Sequence, residues 1–443
     1  MKNILIAIRS IFKKGRHNVM KIVSLGIGLA VGLVLIAKVY FEQSYDDFYP
    51  DRDRVYQVWA KYQQNGGELK DYPQTSGGIA PTMQQQIPEI ETVTRYTSFG
   101  DWTFTMTDTK MKYSGRCIIA DSCFFDILPR PMLIGNAKEV LSTPMYVLIS
   151  SRIAKNIGGD VIGKNFTVDN SPGRTMTIGG VFEEVPENSH SRYDVIVSMA
   201  SAGRFMWEGS PTNMLGNDRY ISYVKLHKGV NPLALEEQVR TFVNSYFPPE
   251  EQQKVGLSID FSFHKLDNLH KELPQVKRMT WILSLLAFAL IFTAVMNYIL
   301  IVISSIVNRS KEVAVHKCYG ASENNIHGMM FGEALVHIVL SLILALLLIL
   351  AFRGTVEELL ATSLDSLLLS NGSLVLLGIC ILVFFVSGFM PGSLYARIPV
   401  ASAFRNYREN KRIWKKALLL VQFVATGFLV TMLVFVARQY TFM

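Results

Sequence analysis

R-S-K-E-V-A-V-H-K-C-Y-G-A-S, residues 309–322, is a polar stretch set between two long apolar ones. Behind it an uncharged run extends from Met279 to Asn308, and ahead of it a second apolar run ends at Phe352. A hydrocarbon core of about 30 Å needs roughly 20 apolar residues of helix, so both runs are long enough to cross a bilayer. The polar stretch is then a link between two spans. Lys317 falls in its last turn and Gly320 just past it, the usual chemistry of a helix end, and Ser322 can cap the helix that follows. A short capped helix is expected there, and the rest of the chain is read outward from it.

The 443 residues are 49% hydrophobic with a mean hydropathy of +0.24. That is too apolar for one soluble domain and too polar for spans throughout. Windows of spanning length and composition fall at 17–41, 278–308, 328–352, 373–390 and 417–443. The net charge of +8 resides beside these windows, which points to membrane orientation and away from nucleic acid. Six Lys/Arg lie in residues 1–21, three in 304–327 and seven in 391–416. The 353–372 loop has only Arg353, against Glu357, Glu358 and Asp365. Five alternating spans put the three basic segments in the cytoplasm and the region 42–277 outside, with a cytoplasmic N-terminus.

In chain order, residues 1–16 predict an amphipathic cytoplasmic helix with Ile4, Leu5, Ile8 and Ile11 on one face. The first span carries Lys38 near enough to its end to snorkel, and a Gly28/Gly32 pair that would permit close helix contact. No small-x-small cleavage site follows it, so it reads as an uncleaved anchor. The region 42–277 is long enough for its own core and is expected to be a two-lobed α+β domain. Strand-like alternation occurs at 54–62, 102–106, 175–181 and 220–226, and helical patterns at 80–86, 151–157 and 232–247. The coupling-helix segment is 309–327, followed by the third span and an external loop at 353–372. That loop sets Val356, Leu359, Leu360 and Leu364 on one face and is expected to rest on the membrane surface. After the fourth span comes a cytoplasmic linker at 391–416. Its K-R-I-W-K-K-A-L-L-L-V-Q-F (411–423) echoes the approach to the first span, so a second copy of the unit begins near Asn406.

Few residues suggest chemistry. Gly158–Asn165 (G-G-D-V-I-G-K-N) is one residue short of a phosphate-binding loop, ends in Asn where Ser/Thr would hold Mg²⁺, and reads as a turn into a strand. Glu333 and His337, one helical turn apart in the third span, suggest either a proton relay or a pair packed against neighbouring helices. His190 and His227 lack partners at metal-binding spacing. Asp46, Asp47, Asp51 and Asp53 read as a solvated approach to the domain. Cys117 and Cys123 could pair if exported, and no CxxC or Cys/His metal spacing exists. A charged inter-span loop can do no more than fix orientation, yet a helix held at both ends can also pass displacement between spans.

These residues resemble the MacB/FtsX-type ABC transporter permeases, in the eight-span form abundant in Bacteroidetes. Residues 309–322 look like the family's R-x-K-E-[IV]-[AG]-[IV]-[RH]-K-x-x-G-A-S segment. S-G-F-M-P-G-S-L-Y-A-R-I-P-V-A-S-A-F-R (387–405) is similar to the segment after its fourth span. Y-D-D-F-Y-P-D-R-D-R-V-Y-Q-V (45–58), A-D-S-C-F-F-D-I (120–127), V-I-G-K (161–164) and G-V-F-E-E-V-P-E-N-S-H (180–190) also fit.

The resemblance implies helical spans with a MacB-type periplasmic core domain in the bacterial inner membrane. It implies a non-catalytic subunit working by mechanotransmission in efflux or a related task. A separate cytoplasmic ABC ATPase would carry ATP and Mg, with no cofactor on this chain. Carried over by position, Arg309, Lys311, Glu312, His316, Lys317, Gly320 and Ala321 would contact that ATPase, and Glu333 would have a structural role. Further partners implied are the lipid bilayer, a second permease half or a second copy, a periplasmic adaptor and an outer-membrane channel. The eight-span form continues with a second outer domain and three more spans, so the chain is expected to be a truncated or split permease. The rival reading is a membrane-anchored sensor whose outer domain binds a ligand and signals through the inner helix.

Overall fold

The computed structural model describes residues 17–169, 171–368, 372–396 and 413–441. The helix expected over 1–16 and most of the 391–416 linker lie outside the described residues. The chain divides into two compact units, Met1–Gln43 with Pro274–Met443, and Ser44–Leu273.

The first unit is helical: α1 (Asn18–Gln43), α2 (Pro274–Ser304), α3 (Ile306–Cys318), α4 (Glu323–Ala351), α5 (Arg353–Leu360), α6 (Leu364–Leu368), α7 (Ser373–Ala396) and α8 (Ile413–Thr441). Among the described residues, α1, α2, α4 and α7 contain stretches long and apolar enough to cross a membrane, whereas the apolar run of α8 is the shorter Leu419–Phe428. Leu25 and Leu29 of α1, Ile299 and Val302 of α2, Met330 and Ile338 of α4 and Val383 of α7 share one buried core. The Gly28/Gly32 pair sets the α1–α2 distance. A Cβ on Gly28 would stand 2.2 Å from the Ala294 Cβ, and one on Gly32 would stand 2.4 Å from Ile291 Cγ1. Only glycine fits so close a backbone.

The four apolar residues of the 353–372 loop do not share one environment. Leu364 is buried and Val356 and Leu360 pack on the helical core, while Leu359 stays 78% exposed. Lys38 does not snorkel outward. It is buried, pairs with Glu42 at 2.7 Å and donates to Thr362 Oγ1 at 2.8 Å, fastening the loop to α1. A lysine with an acceptor one turn away on its own helix, and another on the loop, needs no route to water.

The second unit is built on one 11-stranded mixed sheet. Its strands are β1 (Val55–Gln64), β2 (Lys70–Tyr72), β3 (Ile90–Met106), β4 (Lys112–Ala120), β5 (Met132–Ile134), β6 (Tyr146–Ser150), β7 (Asn165–Val168), β8 (Ser171–Phe182), β9 (Val195–Ser198), β10 (Ile221–Leu226) and β11 (Leu257–Lys265). The order is β11-β1-β10-β3-β4-β9-β6-β8-β5, with β2 on β1 and β7 bridging β3 and β8.

Burial explains why the central strands are apolar without a break. Ile118, Leu148 and Ile196 point into one core, and their neighbours Ile119, Val147, Ile149, Val195 and Val197 into another on the opposite face. The first is covered by Phe124–Ile127 and Ala137–Ser142, the second by the far end of β3 with Trp102 and Phe104. β3 reaches that position past a register shift between Ser98 and Gly100, where Gly100 adopts φ +74°. A third core lies under Ile79–Gln86 and Glu236–Tyr246 against β1, β10 and β11. On the outer edge strand β11, the Ile259 amide donates to Gln252 Oε1 (3.0 Å) and the Phe261 amide to Asp260 Oδ1 (2.8 Å).

Candidate functional site: the polar helix and the seam behind it

The linking helix forms, with one difference at its start. The sequence reads as a helix continuing from the second span, but α2 stops at Ser304 and α3 begins at Ile306. Ser304 Oγ donates to the Ile301 carbonyl (2.8 Å) and Ser305 Oγ to the Val302 carbonyl (2.6 Å). Hydroxyls competing for the carbonyls of the preceding turn weaken the helical ladder there.

The other end is closed tightly. Gly320, at φ +87°, donates to the Lys317 carbonyl (3.0 Å), and Ala321 donates to the His316 carbonyl (3.0 Å). That pair of bonds is a Schellman turn, which needs a residue that tolerates the left-handed region. Ser322 Oγ then accepts from the Asn325 amide and opens α4 with no intervening spacer.

Val313, Ala314 and Ser310 are buried, so one side of α3 faces the helical unit. On the other side Lys311, Val315 and Tyr319 recur every fourth residue and are all exposed, Tyr319 to 89%. Of the residues expected to make contact, Lys311, His316 and Gly320 are exposed, whereas Glu312, Lys317 and Ala321 are half-buried; Arg309 lies on the helix. Val315 and Tyr319 were not singled out by the sequence. An aromatic next to a helix-ending glycine looks like an ordinary hydrophobic cap contact until its exposure is known.

Behind α3 lies a polar seam. Glu333, His337 and Ser341 occupy successive turns of α4, and all three are buried. Glu333 Oε1 stands 3.5 Å from Lys21 Nζ of α1, and Lys21 also donates to Asn18 Oδ1 at 3.2 Å. His337 Nδ1 is 3.1 Å from the Tyr298 hydroxyl of α2, with the rings edge to face. Ser341 Oγ donates to the Ile22 carbonyl of α1 at 3.1 Å. Lys21, counted in the sequence as an orienting charge, is thus an internal partner of Glu333.

The base of the sheet domain corrects another expectation. Asp46 is not solvated; it is fully buried. Its carboxylate accepts from His190 Nδ1 (2.8 Å), Ser189 Oγ (3.1 Å) and the His190 amide (3.3 Å). On the far side of the ring, His190 Nε2 meets the Tyr223 hydroxyl and Ser191 Oγ (3.0 Å), and Ser191 meets the Tyr96 hydroxyl (2.6 Å). Asp46, His190 and Ser191 therefore line up as carboxylate, imidazole and hydroxyl. Ser191 is only 4% exposed and its hydroxyl is held between His190 and the core residue Tyr96, so the trio is closed off from solvent. Burial pushes the Tyr96 hydroxyl up to about 12, which suits a permanent donor. Tyr45 stacks on His270 at 3.4 Å, Lys271 pairs with Asp47 at 3.2 Å and Arg52 with Asp267 at 3.4 Å. The residues that begin the domain are thereby tied both to its last turn and to the segment leading into β9.

The phosphate-loop lookalike at 158–165 follows a helix (Ser151–Ile157) and runs into β7, the reverse of the strand–loop–helix order that cradles phosphate. Cys117 and Cys123 are free thiols, Cys117 in the core and Cys123 donating to the Val93 carbonyl. Among the described residues no group of three or more His, Cys, Asp or Glu is placed to hold a metal.

The FtsX-like permease C-terminal family matches residues 284–400, which run from α2 through α3, α4 and α7. The chain is similar to a domain of a permease protein from Porphyromonas gingivalis: 33% identity, 49% of this chain and 91% of that one covered, TM-score 0.45. It is also similar to the periplasmic region of MacB from Actinobacillus actinomycetemcomitans, at 14% identity over 49% of this chain and 92% of that one, TM-score 0.34. For the extracellular domain of the noncanonic ABC-type transporter YknZ from Gram-positive bacteria, identity is 11% over 46% of this chain and 98% of that one, TM-score 0.33. No curated protein matches. The family match falls on helices that are long and apolar enough to cross a membrane, and the class it gives is a membrane permease. The chain belongs to the FtsX-like permeases.

Proposed function

We propose that this permease couples ATP hydrolysis by a separate cytoplasmic ATPase to movement of its extracytoplasmic domain, and that α3 is where the ATPase docks. The observation that carries the reading is the outward stripe of Lys311, Val315 and Tyr319 on a helix stopped by a Schellman turn and followed at once by a capped span. An exposed aromatic and an aliphatic flanked by a cation form a knob suited to a groove on a partner. ATP and Mg belong to that partner, and this chain acts without catalysis. The basic segments support an inner-membrane orientation with α3 and the N-terminus cytoplasmic. A second permease half or a second copy, a periplasmic adaptor and an outer-membrane channel would complete the assembly.

Co-expression with an ABC ATPase tests the reading. The full chain should retain the ATPase on purification, and Val315→Asp with Tyr319→Asp should release it while the permease stays folded. Cys318 is exposed on α3 and reports orientation. A membrane-impermeant maleimide should label it in inverted vesicles and not in intact cells. Retention of the ATPase by the double variant, or labelling from outside, would sink the reading. Retention of a kinase in its place would favour the sensor.

A further inference from the structure

The polar seam joins helices that the chain does not join directly. α3 continues into α2 at one end and α4 at the other; α1 has no covalent link to it. Both junctions are short. At the α2 end Ser305 keeps helical φ and ψ and its amide still donates to the Ile301 carbonyl (3.3 Å), and at the α4 end the Schellman turn runs straight into the Ser322 cap. A displacement of α3 is therefore delivered to α2 and α4 alike, and reaches α1 only through side-chain contacts. From α4, three polar contacts lead on: Glu333 to Lys21 and Ser341 to the Ile22 carbonyl, both on α1, and His337 to Tyr298 on α2. α1 and α2 are the helices from which the sheet domain is strung, one running into Ser44 and the other leaving Leu273.

We propose that α1 is driven through α4, and that Lys21, Glu333, His337, Tyr298 and Ser341 are positioning residues that lock α4 to α1 and α2 so that the three move together. This rests on the reading of α3 as the ATPase-docking helix. The physical case is that stability alone does not explain the seam. A buried ion pair gains little over well-packed apolar side chains, and ionisable groups within spans are costly. Apolar contacts carry little directional preference, whereas hydrogen bonds and ion pairs fix direction and add to register. Ser341 adds a grip on the main chain of α1, which no rotamer change on the α1 side can release.

The test uses the full chain with its co-expressed ABC ATPase in lipid nanodiscs, with native cysteines replaced and spin labels at Lys228 of the sheet domain and Leu374 at the start of α7. Trapping with ATP and orthovanadate should shift the label-to-label distance in the otherwise unaltered chain. Lys21→Met with Glu333→Leu should retain the ATPase and cut the population that shifts by about fivefold, and Ser341→Ala by about twofold. Ser341→Ala removes one hydroxyl and keeps the test decisive if the double variant fails to assemble. An undiminished shift in Ser341→Ala, or in the double variant with ATPase bound, overturns the proposal and leaves α3 docking intact. Failure of the chain without seam substitutions to retain the ATPase overturns the docking reading, and the proposal with it.

Discussion

The contact of Gly28 with Ala294 offers the sharpest test of how the helical unit is packed. Gly28→Ala adds one methyl group at a point where an added Cβ lies 2.2 Å from another Cβ, and ordinary contact starts at 3.4 Å. α1 and α2 must therefore separate locally by about 1.2 Å, because neither Cβ can rotate away. The next clash in line, Gly32 with Ile291, involves a side chain that can change rotamer at a cost of about 1 kcal/mol. Gly378 of α7 has nothing within 4 Å of its added Cβ. The expected order is a loss of about 2–3 kcal/mol for Gly28→Ala and about 1 kcal/mol for Gly32→Ala. For Gly378→Ala a gain of under about 1 kcal/mol is expected from helix propensity. Unfolding of the full chain in mixed micelles, followed by circular dichroism as the denaturing detergent fraction rises, measures all three. Adding Ala294→Gly should restore most of what Gly28→Ala loses, since it removes the opposing methyl. A Gly28→Ala chain as stable as the Gly378→Ala chain would refute close packing of α1 on α2 at this point.

Other consequences are more local. Asp46→Ala strips three donors around His190 of their acceptor and should cost about 3 kcal/mol, seen as a lower melting temperature and faster amide exchange in 44–50. Bonds from Arg54 and Lys225 lower the Asp51 carboxyl from its ordinary 3.8 to about 2. Its folded value lies below its unfolded one, so its contribution is present above pH 4 and fades as pH falls toward 2. Asp51 is about one-third exposed, so Asp51→Asn should cost only about 1 kcal/mol at pH 7 and nothing at pH 2 by thermal unfolding. Gly320→Ala places a Cβ at φ +87° and should cost about 1–2 kcal/mol, read as faster exchange of the Ala321 amide.

Much of the fold is legible because local pattern and tertiary placement agree. The 151–157 helix is bounded by Ser150 and Gly158, residues that favour helix ends, and the structure ends it there. The Lys317–Gly320–Ser322 punctuation likewise gives the end of α3. Sequence reasoning fails where partners come from distant parts of the chain. Lys21 sits among five other basic residues at the N-terminus, and nothing local marks it as the internal partner of Glu333. Asp46 stands beside Asp47, Asp51 and Asp53, and only the approach of 188–191 distinguishes it from its neighbours. Ser304 and Ser305 are two small polar residues in an uncharged run. Whether their hydroxyls loosen a helix depends on rotamers that the sequence does not display.

The covered edge of β11 bears on how the protein behaves among its neighbours. A nine-residue border strand with open amides would invite a strand from another molecule to zip alongside it. Two of those amides are already occupied, one by Gln252 from a neighbouring helix and one by the strand's own Asp260. At these two positions a strand from another copy finds no free donor to pair with. Losing the Gln252 amide would bare the Ile259 amide, together with the Phe247 carbonyl it also holds, and leave Asp260 to guard the strand.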